Sequence, residues 1–420
     1  MRAVFLDRDG VIIKSAGLVT KKEEVEFETA VPEAIKIFNG LGLKVIIVTN
    51  QPQVARGTIS EEGVKEINNH MVDALIKNGA FIDDVYFCPH HPEQHDDVPD
   101  HAKKYRVECR CRKPNPGMLL DAARKHSIDL EKSFMIGDKT SDVMAGRNAG
   151  TMTILVKTGH AGLDKKHDVK ADHECDTLLD AAKLIRNSVK TSVIILAGGR
   201  GERLIPLTND MPKPMIDING KPVLRYHLDL LKKHGLRDVA ICGSYLVEKI
   251  KAYFGSGESL RMHISYPEEI TPLGTGGAIR NAMQQTGTEE VLVLNGDVVT
   301  NMDLTSLLNF HFSHGGIVTV VLRSSDHPID SDIVRTNDKN EVVEYIGRGQ
   351  DMLKTANTGI MVLRKDIMKY IPAGVSNIEK DVLFKMLRQE KVYGYTSNDY
   401  IKDMGTMERL EKVRQEFLGI

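Results

Sequence analysis

Two α/β domains in tandem are predicted by three features of the sequence. The chain has 420 residues, more than one ordinary hydrophobic core serves. Short β-rich apolar runs alternate with amphipathic helical stretches along both halves, the pattern of sheets flanked by helices. The alternation restarts once, where the helical TLLDAAKLIRNSVKT gives way to SVIILAGGRG, a new strand running into glycines. That restart puts the boundary at 187 to 191 and the domains at 1–188 and 189–420. No internal repeat relates the halves, and no low-complexity linker joins them.

In the first half, strands are expected at AVFLD, KVIIVTN, VYFC, SFMIGD and TMTILV, with EEGVKEINNHMVDALIKNG as one of the helices between them. In the second half they are expected at SVIILAGG, DVAICGS, EEVLVLNGD, GIVTVVL and NTGIMVL, with VLRYHLDLLKKHG helical. Composition narrows the function classes. Hydrophobic residues make up 41%, the formal net charge is −2, and aromatics are 5% with no Trp. The charge balance gives no global basic surface, which leaves room only for local basic phosphate sites, and the aromatics offer little for stacking on bases. No apolar run reaches the ~18 residues of a membrane span, and the start MRAVFLDRDG lacks a signal-peptide core. The expectation is a cytoplasmic protein acting on small molecules, with no nucleic-acid or membrane partner. Oligomeric state is not readable from the chain.

Asp7-Arg8-Asp9-Gly10 follows directly on the strand AVFL, at the carboxyl end where α/β sheets bind ligands. Thr49-Asn50-Gln51 follows KVIIV, Gly137-Asp138-Lys139 follows SFMI, and Asp142 lies four residues beyond Asp138. With Arg112-Lys113-Pro114 they offer two chemistries. Carboxylates supply hard oxygen ligands for Mg²⁺, while Thr49, Asn50 and lysine neutralise phosphate oxygens. Between them lies CRCRKPNPG, Cys109 to Gly117, in which an extended backbone turns the two cysteines to one side and Arg110 and Arg112 to the other. Five cysteines in a chain of this length are no disulfide framework, and a close Cys/His group reads as a metal site. Cys88, His90, Cys109 and Cys111 form two tight pairs, a tetrahedral N/S set of the kind zinc prefers. Cys175 and Cys242 are read as packing thiols, and His91 and His95 as solvated loop residues.

Taken in order, DRDGVI, VTNQ, RKP and GDKTSD resemble the four motifs of the haloacid dehalogenase-like phosphatases. Within them, ARG at 55–57, CPHHPE, CRCRKPNPGML and GDKTSDVMAGRNAG resemble the D-glycero-D-manno-heptose 1,7-bisphosphate 7-phosphatases, and histidinol-phosphate phosphatases share much of the pattern. The resemblance implies a Rossmann-like domain with Asp7 as nucleophile and Asp9 as general acid and then base. It further implies Mg²⁺ on Asp7, the backbone carbonyl of Asp9, and Asp138. Thr49 and Lys113 would steady the phosphoryl group, Asn50, Arg112 and Lys139 would face substrate, and a structural Zn²⁺ would sit on Cys88, His90, Cys109 and Cys111. Two departures, TNQPQVARG for the usual TNQSGIARG and Ile13 for a common Asn, fall near the expected substrate pocket.

The second half opens on LAGGRGERLIPLTNDMPKPMIDINGKPVL, a strand, a glycine-rich turn and a lysine between prolines. Glycines let backbone N–H groups approach a triphosphate, and Arg203 and Lys213 offset its charge. The run resembles the signature of the sugar-1-phosphate nucleotidyltransferases, with Glu202 where Thr or Ser is frequent; PLGTGGA, NGDV, NTG, EKD and KDMGT follow in order. This resemblance implies a second Rossmann-like domain of the glycosyltransferase A type. Gly198, Gly199, Arg203 and Lys213 would bind the nucleoside triphosphate and Gly274 and Gly277 border its base. Asp297 and Asp403 would hold Mg²⁺, and Asn357, Glu379 and Lys380 would contact the sugar phosphate. A phosphatase that leaves a sugar 1-phosphate and a transferase that consumes one are consecutive steps. The expected function is a bifunctional enzyme of nucleotide-activated heptose synthesis using GTP, with mannose 1-phosphate as the neighbouring choice of sugar.

Overall fold

A computed structural model of the chain describes residues 1–14, 19–92, 99–324, 332–347 and 355–417. They divide into two compact units, Met1–Arg186 and Asn187–Ile420. None of the described helices is long and apolar enough to cross a membrane.

The first unit runs β1 (Ala3–Leu6), α1 (Val31–Gly40), β2 (Lys44–Asn50), α2 (Glu61–Lys77), β3 (Asp84–Cys88), the short α3 (Asp100–Lys103), α4 (Gly117–His126), β4 (Phe134–Gly137), α5 (Thr140–Ala149), β5 (Met152–Val156), β6 (His173–Cys175) and α6 (Leu178–Lys190). Its strands lie in the order β3-β2-β1-β4-β5-β6, with every pairing parallel. Strands covered on both faces read as unbroken apolar runs, and AVFL of β1 is buried at all four positions. Register carries this over to function. Leu6 pairs with Ile47 on one side and Ile136 on the other, so Asp7, Thr49 and Asp138 emerge from one edge of the sheet within two residues of a common level. The five expected strands are all present, and β6 extends the sheet beyond them.

The second unit contains β7 (Thr191–Leu196), the hairpin β8 (Asp217–Ile218) and β9 (Lys221–Pro222), α7 (Val223–Lys233), β10 (Asp238–Cys242), α8 (Val247–Phe254), β11 (His263–Ser265), α9 (Gly274–Gln285), β12 (Glu290–Asn295), β13 (Val298–Thr300), α10 (Leu304–His314), β14 (Val318–Ser324), β15 (Ile333–Thr336), β16 (Val342–Gly347), β17 (Thr355–Arg364), α11 (Phe384–Met386), β18 (Val392–Thr396), β19 (Ile401–Asp403) and α12 (Met407–Glu416). The main path is β11-β10-β7-β12-β17-β14-β18. Its first four strands are parallel, whereas β17 runs antiparallel to both β12 and β14. The sheet is therefore mixed. Apolar faces on both sides of it are buried, one around Val193, Leu224 and Leu292 and the other around Ile194, Ile279 and Val293. Leu196 is level with Cys242 and Asn295, so three loops leave the sheet together: the glycine-rich turn, Gly243-Ser244, and Gly296-Asp297.

Candidate active sites

At the edge of the first sheet, a fully buried lysine joins two carboxylates. Lys113 Nζ lies 2.9 Å from Asp7 Oδ1 and 2.7 Å from Asp142 Oδ1, and it donates to the Val48 carbonyl at 2.8 Å. Lys139 Nζ adds contacts of 3.2 Å to Asp138 and 3.8 Å to Asp7. Burial alone would raise the Asp7 carboxyl, but Lys113 and Lys139 outweigh it and hold the group below its ordinary value, as a nucleophilic carboxylate needs. The neighbours behave differently. Burial, with repulsion from Asp7, pushes Asp138 up to about 6 and Asp142 up to about 7.

Oxygens of Asp7, Asp138 and Asp142 lie within 4.8 Å of one another, a cluster that could hold a hard cation. Asp142 is grouped with these carboxylates by its spacing in the sequence, but the resemblance assigns it no role. It occupies the third position of α5, where its Oδ2 accepts the Lys139 N–H at 3.0 Å while Oδ1 meets Lys113. Spacing from Asp138 was the only signal in the sequence. Gly10 completes this floor: its φ is +88°, and a Cβ there would stand 2.5 Å from Asp138 Oδ2.

The other expected residues surround the cluster. Asn50 exchanges two 3.0 Å hydrogen bonds with the backbone of Lys113, from Nδ2 to its carbonyl and from its N–H to Oδ1. Gln51 Nε2 donates both to Thr49 Oγ1, at 3.0 Å, and to Asp9 Oδ2, at 2.8 Å. Arg112 was expected to face substrate; in the structure its Nη1 donates to the His90 carbonyl at 3.1 Å and its N–H to Cys109 Sγ at 3.3 Å. Arg110 pairs with Asp121 at 3.0 Å on the surface.

Cys88, His90, Cys109 and Cys111 converge as expected. Their sulfurs are 3.3–3.5 Å apart, His90 Nδ1 is 3.3 Å from Cys111 and 3.7 Å from Cys88, and none is in a disulfide. Mutual contact shifts two of the thiols in opposite directions, Cys111 down and Cys88 up, so one proton is shared across the pair. His91 is half-buried and its N–H donates to the Tyr105 carbonyl; His95 lies outside the described residues. Of the two remaining thiols, Cys175 is pushed up to about 12 by burial, and Cys242 lies in the wall of the second site.

That second site is a cavity of about 800 Å³ at the edge of β7, β10 and β12. Gly198, Gly199, Arg203, Lys213, Gly274 and Asp297 line it, together with Glu202 and Asn295. Lys213 Nζ is paired with Asp297 Oδ2. Asp403 is brought to Asp297 by an antiparallel ribbon in which Val298 pairs with Asp403, and the Met404 N–H donates to the Asp297 carbonyl at 3.0 Å. The Asp403 carboxylate faces Arg409, at 2.9 and 3.0 Å. Burial opposes ionisation there, but Arg409 and the Gly405 N–H hold the carboxyl below its ordinary range.

Asp403 and four further expected residues lie outside the cavity wall. Gly277 is a packing position, since a Cβ would meet the Gly374 carbonyl oxygen at 2.3 Å. Asn357 uses its Oδ1 to accept the Gly359 N–H at 3.1 Å. Glu379 and Lys380 belong to a single π-helical segment, Ile378–Leu383, with Lys380 exposed. The same segment is tied to α9 by the bond from the Ile378 N–H to Thr275 Oγ1, 2.9 Å, so a cavity-lining threonine positions it.

Comparison with known proteins separates along the same division. A family model described as nucleotidyl transferase matches residues 192–418, and one described as HAD-hydrolase-like matches residues 110–181. The first half is similar to the D-glycero-beta-D-manno-heptose-1,7-bisphosphate 7-phosphatase of Rhodopseudomonas palustris, 46% identical over 35% of this chain and 79% of that protein. The second half is similar to the mannose-1-phosphate guanylyltransferase of Mycobacterium tuberculosis, 34% identical over 52% of this chain. The chain spans 62% of the length of that relative. Among solved structures, HddC from Yersinia pseudotuberculosis matches 54% of this chain and 99% of its own at 27% identity and a TM-score of 0.48.

Proposed function

We propose that this chain, which belongs to the heptose-bisphosphate 7-phosphatases through its first half and to the nucleotidyl transferase family through residues 192–418, makes a nucleotide-activated heptose in two steps. It removes the 7-phosphate of D-glycero-D-manno-heptose 1,7-bisphosphate and then transfers GMP from GTP to the heptose 1-phosphate. The observation that carries the reading is the presence on one chain of two separate acid-and-lysine sites, Asp7–Lys113 and Asp297–Lys213, whose reactions share a sugar 1-phosphate.

In the first step an Asp7 oxygen attacks the phosphorus and the bond to the sugar oxygen breaks, leaving an aspartyl-phosphate. Asp9 protonates the departing oxygen and later takes the proton of the water that attacks the aspartyl-phosphate. Lys113 and Thr49 stabilise the phosphoryl oxygens as charge spreads over them. Asp7, Asp138 and the Asp9 carbonyl would hold Mg²⁺, which supplies further charge stabilisation when bound. The thiol group fits structural Zn²⁺: a tetrahedron with bonds of about 2.3 Å has edges of about 3.8 Å, and five of the six edges here measure 3.3–3.7 Å.

In the second step an oxygen of the sugar phosphate attacks the α-phosphorus and pyrophosphate leaves, without a covalent enzyme intermediate. Arg203 and Lys213 screen the two anions while the glycine turn and the cavity align them. Asp297 and Asp403 would hold Mg²⁺, which adds charge neutralisation when bound. That requires Lys213 and Arg409 to give up their present carboxylate contacts.

Mass spectrometry of products tests the whole sequence. Purified protein is given the α- or β-anomer of the bisphosphate, Mg²⁺ and an equal mixture of nucleoside triphosphates. GDP-heptose from one anomer is the expected result. Untouched bisphosphate removes the first half of the reading, and heptose 1-phosphate without a nucleotide sugar removes the second. A second reading, mannose 1-phosphate as the accepted sugar, is favoured by the guanylyltransferase similarity; GDP-mannose formed in preference from a mixture of the two sugar phosphates would establish it.

A further inference from the structure

Arg8 is the largest fully buried side chain of the described residues, and no step above uses it. A buried guanidinium is costly unless its charge and its donors are met. Here Nε and Nη2 fork onto Asp9: 3.0 and 2.9 Å to Oδ1, and 3.1 Å from Nη2 to Oδ2. The remaining nitrogen, Nη1, donates to Asn68 Oδ1 at 2.9 Å. Asn68 is itself anomalous, a buried amide on the face of α2 that otherwise buries Val64, Ile67, Met71 and Leu75. The backbone N–H of Arg8 donates to Asp7 Oδ1 at 2.8 Å, so one residue touches both acids of the first site.

With the 2.8 Å bond from Gln51, the Asp9 carboxylate receives four contacts from donors, two on each oxygen. That is about its full acceptor capacity. A carboxylate so surrounded has one orientation, which α2 fixes through Asn68 and Arg8, and one of the four contacts must open before an Asp9 oxygen can carry a proton.

We infer that Arg8 and Asn68 are positioning residues that set the orientation of Asp9 for proton transfer to the leaving oxygen. The inference rests on the reading of Asp9 as the acid–base group. It makes α2, which contributes no group to the chemistry, part of the machinery that decides how well a poor leaving group departs.

The test uses leaving groups. A sugar alkoxide needs a proton to depart, whereas nitrophenolate leaves without one. The full chain and its Asp9→Asn, Arg8→Lys and Asn68→Leu variants are compared in kcat/KM for the heptose bisphosphate and for p-nitrophenyl phosphate. General acid catalysis contributes about 10²–10⁴-fold, so Asp9→Asn should lose about that much on the bisphosphate. The two positioning variants should lose about ten- to hundredfold there. The two positioning variants should retain kcat/KM for p-nitrophenyl phosphate within about threefold, because its leaving group departs without a proton. Asp9→Asn should show the same leaving-group dependence in kcat/KM but lose kcat on both substrates, because water attack on the aspartyl-phosphate still needs the base.

Equal losses on both substrates in Arg8→Lys and Asn68→Leu, with Asp9→Asn behaving as stated, would overturn the inference and leave the role of Asp9 intact. So would no loss on either. An Asp9→Asn variant without leaving-group dependence would remove the role of Asp9 and the inference with it. Should Arg8→Lys not fold, Asn68→Leu carries the same comparison, since it leaves the guanidinium in place.

Discussion

At the scale of single residues, the division of labour between the two sites rests on one carboxylate and one lysine. Asp7 is buried and held in its anionic form by Lys113 and Lys139, and the proposed mechanism makes it the nucleophile. Asp7→Asn should therefore reduce phosphate release from the bisphosphate by about 10⁴-fold or more and leave nucleotide transfer from supplied sugar 1-phosphate unchanged, as a coupled pyrophosphate assay reads directly. Lys213→Ala should do the converse, abolishing nucleotide-sugar formation while phosphate release continues. Loss of both activities in either variant would point to a damaged fold. Of the residues concerned, those with a short motif around them were legible: Asp7 after its strand, Lys113 before its proline, Asp297 after NGD. Arg8 and Asn68 were not, because nothing in 60 residues of intervening chain marks a helix-face asparagine as the partner of a strand-end arginine.

At the scale of elements, the thiol cluster draws together Cys88 and His90 at the end of β3 and Cys109 and Cys111 ahead of α4, and its last cysteine lies two residues before Lys113. Stripping the metal with a strong chelator should lower the melting temperature of the first unit and reduce phosphate release together, with nucleotide transfer spared; a melting curve indifferent to zinc would contradict the metal assignment. A second tie joins the same elements. Asp84, at the start of β3, takes Lys125 at 2.7 Å and His126 at 2.8 Å from the end of α4. Burial by itself raises the Asp84 carboxyl, and these hydrogen bonds outweigh it, bringing the group from 3.8 down to about 2. A depressed folded-state value gives stability that is complete above about pH 4 and is lost as pH falls toward 2. Asp84→Asn should accordingly lower the melting temperature at pH 7, and the gap to the unaltered protein should close between pH 4 and 2 in a calorimetric series.

At the scale of the whole molecule, the described contacts fall into two units that divide within α6, close to the restart read from the sequence. Residues 1–188 and 189–420, produced separately, should each keep one activity; a half that is folded by circular dichroism yet inactive would show that the sites depend on each other. Periodicity made the ten expected strands visible, since each is a local apolar run. The pieces that build the second site from afar were hidden: β13 and β19 have three residues each, and β18 and the β15–β16 hairpin have no strong alternation. Asp403 was nominated by its motif alone, and only the pairing of Val298 with Asp403 explains why it belongs beside Asp297. This ribbon has a consequence for the order in which the protein matures on the ribosome. The first site has all its groups once His160 has been made, whose N–H binds Asp138. The second must wait for β19, about 240 residues later, or some tens of seconds at roughly 5–20 residues per second. On the proposed reading, every residue of the first site is therefore synthesised before the second site has its last carboxylate.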